Sequence, residues 1–225
     1  MLISNVKIDK IIKSRRSSIA IEINSHGEVI LRIPQHIQTS LIEKILTEKR
    51  DWILKKQNIL KSKVPTKKEF IFGETFYYLG CEYALLPSFD KKKHVEFDSA
   101  FYINESYLPY ISKLLIDWYK KQATDYLTIR TMALANASAL TVTSVSINSA
   151  KKRWGSCSAS GSINFSWRLI MLPPEVIDYV IVHELAHLKE LNHSKKFWDF
   201  VDVILPDYKI SKNWLKNNST KFHYI

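Results

Sequence analysis

His183-Glu184-Leu185-Ala186-His187, followed by His193, is the stretch on which the reading of this 225-residue chain turns. On a helix a four-residue step rotates by only about 40°, so His183 and His187 stand one turn apart on one face. Two imidazoles at that separation can share a metal ion, and Glu184 sits beside the first, within reach of a water on that metal. The pattern therefore points to a helix, to zinc, and to hydrolysis by a zinc-activated water. His193 supplies a third nitrogen ligand. Asp199 and Asp202 are alternatives for that place, and His193 is preferred because its spacing is a known third-ligand spacing. Three neutral imidazoles leave such a site at +2, which lowers the pKa of a bound water from about 15.7 towards about 7. Glu184, not itself a ligand, is then the candidate general base.

The flanks support a helix at this place. Pro173 and Pro174 suit a first turn, where a missing N–H costs nothing, and Glu175 suits the positive end of the helix dipole. Ile177, Val180, Ile181, Glu184, His187 and Leu191 follow in three- and four-residue steps. Asn192 is the expected left-handed terminator, and Ser194 the expected cap of a further helix carrying Phe197, Trp198, Val201 and Leu205. His193 then lies at a corner between two helices, from which it can turn back towards a metal.

Upstream, the segment Lys151-Lys152-Arg153-Trp154-Gly155-Ser156-Cys157-Ser158 reads as an ordinary β-hairpin with a cation against a ring, or as part of the site. Arg153 is a candidate for binding a substrate carboxylate or phosphate. Cys157 is the weaker candidate for a metal contact, since three histidines already satisfy zinc, and it reads better as a buried free thiol. Thr141 to Ile147 and Ser162 to Trp167 are strand candidates, with Cys157 to Gly161 as the turn between them. A helix is expected from about Leu108 to Ala137, its core stripe being Leu108, Ile111, Leu115, Trp118, Tyr126, Ile129 and Leu134.

Nearer the N-terminus, Ile19, Ile21 and Ile23 alternate in a strand over 17–24, and 24–27 reads as a turn into a returning strand, Val29 to Ile33, ended by Pro34. Ser40 to Glu43 matches a capping box, opening a helix with Leu41, Ile45, Trp52 and Ile53 as its apolar stripe. Phe70 to Leu86 suggests another strand pair. No repeat is visible.

The net charge is +11. Residues 1–95 hold 18 Lys/Arg and 10 Asp/Glu, whereas 96–225 hold 15 and 12, so most of the excess lies in the first half. Basic clusters at Lys13 to Arg16, Lys61 to Lys68 and Lys91 to Lys93 could attract nucleic acid, although a solvated basic surface explains them as well. No apolar run is long enough for a membrane span and the first 20 residues lack a signal-peptide core, so a cytoplasmic location without membrane partners is expected. Two cysteines make no disulfide framework.

Taken together, Arg153 to Ser158, Gly161-Ser162-Ile163-Asn164-Phe165, Leu172-Pro173-Pro174, Asp178 to His187, Asn192-His193-Ser194 and Phe197-Trp198 resemble the YgjP-like metallopeptidase family of metal-dependent hydrolases, relatives of the SprT and WLM zincins. Arg15-Arg16-Ser17 and the helix carrying Trp52 resemble it more weakly. The resemblance implies zinc on His183, His187 and His193, with Glu184 as general base. It also implies a zincin-like catalytic half with a sheet beside the active-site helix. Ser162 to Trp167 could offer that sheet's edge to an extended peptide. Metzincins share the histidine spacing but have glycine where this chain has Glu190, so His193 must arrive by a different corner.

The expected architecture is α+β: a basic, β-rich region with one amphipathic helix over 1–95, then a zincin-like metallohydrolase domain over 96–225. A zinc metallopeptidase acting on peptides or proteins is the first expectation. A nucleoside triphosphate pyrophosphatase at the same metal site is the second, although no phosphate-cradling glycine loop is present. The third is a basic nucleic-acid-associated module with a structural metal, against which Glu184 argues, since a structural site needs no base. Arg153, Tyr208 and His223 are candidates for stabilising the oxyanion.

Overall fold

A computed structural model describes residues 2–3, 6–24, 27–61, 68–90 and 94–222, with only the backbone for 2, 3 and 58–61. Lys63, Lys67, Lys91 to Lys93 and His223, with Ser25 and His26 of the expected turn, lie outside the described residues. The chain divides into two compact units, Met1–Val64 and Pro65–Ile225. The boundary expected from composition was 95/96. It falls at 64/65 because the aromatic strands after Pro65 share one core with the C-terminal helices.

In the first unit β1 (Leu2–Ile3) pairs antiparallel with β2 (Val6–Lys7). The other sheet has β3 (Lys10–Ser14), β4 (Ala20–Ile23) and β5 (Val29–Pro34) in the order β3-β5-β4. β3 is parallel and β4 antiparallel to the central β5. Val29, Leu31 and Ile33 of β5 point inward by strand alternation and are buried with Ile42, Leu46 and Ile53 of α1 (Thr39–Lys61). The expected stripe on α1 is therefore shifted. Ile53 is buried, but Leu41 is 46% exposed and Trp52 48%, with Ile45 half-buried. The capping box is also displaced, because α1 begins one residue before Ser40. β3 had no sequence signal, since its KIIKS reads as a basic cluster rather than as alternation.

The second unit starts with β6 (Thr75–Tyr78), β7 (Cys81–Ser88), β8 (Glu96–Phe97) and β9 (Phe101–Asn104), in the order β6-β7-β9-β8. The β6–β7 turn has Leu79 and Gly80 at positive φ. Their N–H groups donate to the carbonyls of Ile170 and Met171 at 2.9 and 3.0 Å. A Cβ on Gly80 would stand 2.9 Å from Cα of Pro173, so glycine lets this turn sit against the start of the metal-motif helix. A 3₁₀ turn leads into α2 (Ile111–Ala137), whose buried residues Ile111, Leu115, Tyr119, Ala123, Leu127, Thr131 and Ala135 recur every four. Each such step advances by about 40°, so the contact stripe winds round the helix as its neighbours change. Ile129, assigned to that stripe by spacing, is 72% exposed for the same reason.

β10 (Ser144–Asn148), β11 (Gly155–Cys157) and β12 (Ser162–Ser166) form the sheet beside the site, in the order β10-β12-β11. β10 is parallel and β11 antiparallel to β12. Ile163 and Phe165 are fully buried, while the other face carries a polar ladder in which Ser144 and Ser162 hydroxyls bond at 2.8 Å and Ser146 bonds Asn164. β12 was the strand expected to lie at an exposed edge. It is the central strand, and β10 and β11 are the edges.

α3 (Pro174–Ala186) follows, with Pro173 as cap and Pro174 in the first turn. Nine of its 13 residues are buried, so it is a central helix, apolar nearly all round. Arg130 of α2 grips Asp178 of α3 through two bonds of 2.7 and 2.6 Å, a fork that fixes one helix on the other. α4 (Lys195–Ile204) and α5 (Tyr208–Asn218) complete the fold. No helix among the described residues is long and apolar enough to cross a membrane.

Candidate metal centre and active site

His183 and Glu184 occupy the last turn of α3, and His187 is its C-cap, still with right-handed helical angles (φ −66°, ψ −16°). The chain then turns through 187–189, Leu188 and Lys189 donating to the carbonyls of Leu185 and Ala186. Asn192 does not terminate the helix in a left-handed conformation, since the positive-φ residues lie elsewhere. Its side-chain oxygen accepts instead from Ser194 N–H at 3.1 Å, which closes the corner. Ser194 caps α4 by accepting from Phe197 N–H. Between those two turns stands His193.

The ligand atoms of His183, His187 and His193 all lie within 4.8 Å of one another. The Nε2 atoms of His183 and His193 are 3.0 Å apart. Zn–N bonds of about 2.0–2.1 Å at a tetrahedral centre put ligand nitrogens about 3.3 Å apart, so His183 and His193 already stand near that separation and His187 lies within reach of the same ion. Asp199, Asp202 and Cys157 do not belong to this cluster. His187 Nδ1 lies 3.1 Å from the carbonyl of Glu190, to which it can donate, leaving Nε2 for a metal. Glu190, where metzincins have glycine, thus contributes through its backbone. His183 Nδ1 is buried without a hydrogen-bond partner among the described residues, and its ring is held by packing against Tyr179, Phe197 and Trp198.

Burial, then the neighbouring His187 and His193, push His183 down to about 4. His193 is lowered too, by burial, His187 and Lys212. Both rings are therefore neutral at neutral pH, as metal ligation requires. Trp198 stacks near-parallel to His193 at 5.8 Å and to Tyr208 at 5.4 Å, and Lys212 rests its ammonium 3.6 Å from the Trp198 ring centre.

Glu184 is 6% exposed. Burial raises its carboxyl to about 7, against the opposing pull of Arg153. The reason for that burial is β11. A Cβ on Gly155 would lie 2.7 Å from both Cγ and Oε1 of Glu184, so the strand's backbone rests directly on the carboxylate. A glycine within a strand often marks such close approach, a signal that was present in the sequence and missed.

Arg153, Trp154, Tyr179, Val180 and Leu215 line a cleft of about 260 Å³ that reaches His183 and Glu184. Tyr179 stands one turn before His183, a place the four-residue spacing could have indicated. Leu215 and Lys212 had no sequence signal, because only tertiary packing brings α5 to the metal-motif helix. Of the oxyanion candidates, Arg153 lines the cleft, while Tyr208 is buried between Trp198 and Tyr179.

No curated protein matches the chain. Among solved structures it is similar to the metallopeptidase zymogen abylysin of Pyrococcus abyssi, at 23% identity and a TM-score of 0.38, over 41% of this chain and 95% of that one. That likeness is too loose to bear on the site. The model of the YgjP-like metallopeptidase domain, in contrast, matches residues 17–218 and so takes in parts of both units together with His183, Glu184, His187, His193 and Arg153. This chain belongs to the YgjP-like family of metallopeptidases, and is a metal-dependent hydrolase.

Proposed function

We propose that the protein is a zinc-dependent peptidase, with His183, His187 and His193 as the metal ligands and Glu184 as the general base. The observation that carries this reading is three convergent imidazoles beside a buried carboxylate that is not one of them. Bound there, zinc would supply a Lewis acid that acidifies a water and polarises a carbonyl. Glu184 takes up the water's proton at a carboxylate oxygen and passes it to the leaving amine. Burial raises this carboxyl above the ordinary carboxylate range, which makes it a stronger base towards a water. Arg153 is the substrate-binding cation of the cleft. Membership of a metallopeptidase family favours peptides over nucleotides as substrates.

The test is metal analysis together with turnover of a peptide library. Wild type should carry zinc. Glu184→Gln should keep it and lose about 10²- to 10⁴-fold in turnover. His193→Ala should lose metal, while Asp199→Asn and Asp202→Asn keep it. A Glu184→Gln protein as active as wild type, or a wild type indifferent to zinc, overturns the reading.

A further inference from the structure

The geometry of the cleft points to a substrate class: we infer that it receives the C-terminal residue of a peptide, an apolar one, and that Arg153 holds the free α-carboxylate. The inference rests on the peptidase reading above and adds the position of the cut. Three observations carry it.

The first is size and lining. A volume of about 260 Å³ lies below the roughly 300–1,000 Å³ of sites for drug-sized ligands, and is space for about one residue. Trp154, Val180 and Leu215 make its walls apolar, so it desolvates an aliphatic or aromatic side chain and penalises an acidic one.

The second is the cation at the rim. Among the described residues the ion pairs join other groups and Arg153 stands within 4 Å of no carboxylate, although its charge is felt at Glu184. A guanidinium presents a planar fork that matches a carboxylate through two parallel bonds.

The third is the pedestal on which Arg153 stands. The loop from Ser149 to Trp154 is tied down at both ends. Arg168, itself buried, donates to the carbonyl of Ser149 at 3.3 Å, and the Ser166 hydroxyl donates to that of Ala150 at 2.8 Å. Ser166 N–H donates to the carbonyl of Trp154, also at 2.8 Å. Anchoring both ends of the loop sets where the Arg153 backbone stands beside the cleft, which lowers the ordering cost of binding there.

In the reaction that follows, the oxygen of water bonds to the carbonyl carbon of the penultimate residue and the C–N bond to the last residue breaks. Glu184 carries the water's proton to the departing amine. The products are a free apolar amino acid and a peptide shorter by one, with a new carboxylate.

The experiment uses the zinc-loaded full chain and N-acylated peptides ending in Leu, Phe or Asp, each as the free acid and as the amide, with products identified by mass spectrometry. Release of single Leu or Phe from the free acids is expected, with the amides and the Asp peptides cut at least about 10-fold more slowly. Arg153→Gln should shrink the free-acid preference by about 10- to 100-fold. In the metal-free protein, N-acetylphenylalanine should shift the NMR signals of the Trp154 and Tyr179 side chains in wild type and leave them unmoved in Arg153→Gln. Internal cuts at equal rates in acid and amide overturn the inference while the peptidase reading stands. So does an Arg153→Gln protein that loses both substrates by one factor, since Arg153 then acts only through Glu184. A zinc-loaded wild type that cuts no peptide overturns both.

Discussion

The β3-β5-β4 sheet of the first unit and the β10-β12-β11 sheet of the second are built to one plan. In each, the first strand runs parallel to the third, the second pairs antiparallel with the third, and the third is central. In each, the second strand is an edge that touches a helix, β4 against α1 and β11 against α3. What lies in those two seams differs completely. Between β4 and α1 there is an apolar groove of about 300 Å³, lined by Ile19, Ile21, Ile45, Trp52 and the stem of Lys49. Between β11 and α3, Gly155 lies on Glu184 and the cleft opens beside it. In the first seam isoleucines line an open groove, whereas in the second the missing Cβ of Gly155 leaves room for a carboxylate. The shared topology thus makes a seam, and only its side chains make chemistry.

The largest effect expected from testing this contrast is structural. Leu31→Ala empties a fully buried position on the central strand of the first sheet, and should cost about 2–5 kcal/mol in chemical denaturation. The zinc affinity of the folded fraction should not change, since all three ligands come from the second unit. A weakened metal site would end the separation of roles.

Next comes pH. Folded Glu184 keeps its proton up to about 7 against an ordinary 4.5, so the folded chain binds more protons than the unfolded between those values, and stability falls as pH rises. For His183, at about 4 against 6.5, the unfolded chain binds more protons, and stability rises with pH across that window. His193 acts in the same direction. At 1.36 kcal/mol per pKa unit the Glu184 and His183 contributions are each about 3 kcal/mol. They oppose one another between pH 4.5 and 6.5. The Tm of metal-free Glu184→Gln, freed of one contribution, should therefore climb more steeply with pH than that of wild type. Equal slopes would remove the carboxyl from the balance. The groove of the first unit has no such pair.

Gly155→Ala probes the seam itself. Pushing Glu184 aside by even about 1 Å should lower kcat about 100-fold, with KM and bound zinc little altered. The matching change in the other seam, Ile21→Ala, should leave kcat where it was. If both variants keep full turnover, the contact between β11 and Glu184 has no part in the reaction. The smallest effect belongs to Leu41→Ala on the exposed face of α1, within about 0.5 kcal/mol of wild type, and a larger loss would mean that this face is covered.

The plan common to the two sheets was illegible in the sequence, and the reasons are local. β3 spans KIIKS, with no alternation to announce it, and β11 is three residues long. A strand order of first, third, second depends on pairing between segments that share no sequence pattern. Where one segment carried its own period, the reading was closer: the alternation of β5, the proline start of α3 and the serine cap of α4 were all visible. Where a helix offered two apolar faces, as α1 does, sequence alone chose the one that the sheet leaves half open.

The spacing of His183, His187 and His193 and the position of Glu184 are properties of the sequence, because a helical turn brings residues four apart together whatever surrounds them. Tertiary structure decided the rest. The corner that returns His193 is closed locally by Asn192 and Ser194, but the strand that buries Glu184 and shifts its carboxyl, and the loop that brings Arg153 to an apolar cleft, join residues distant along the chain. Such contacts form only when the core packs, and no periodicity records them.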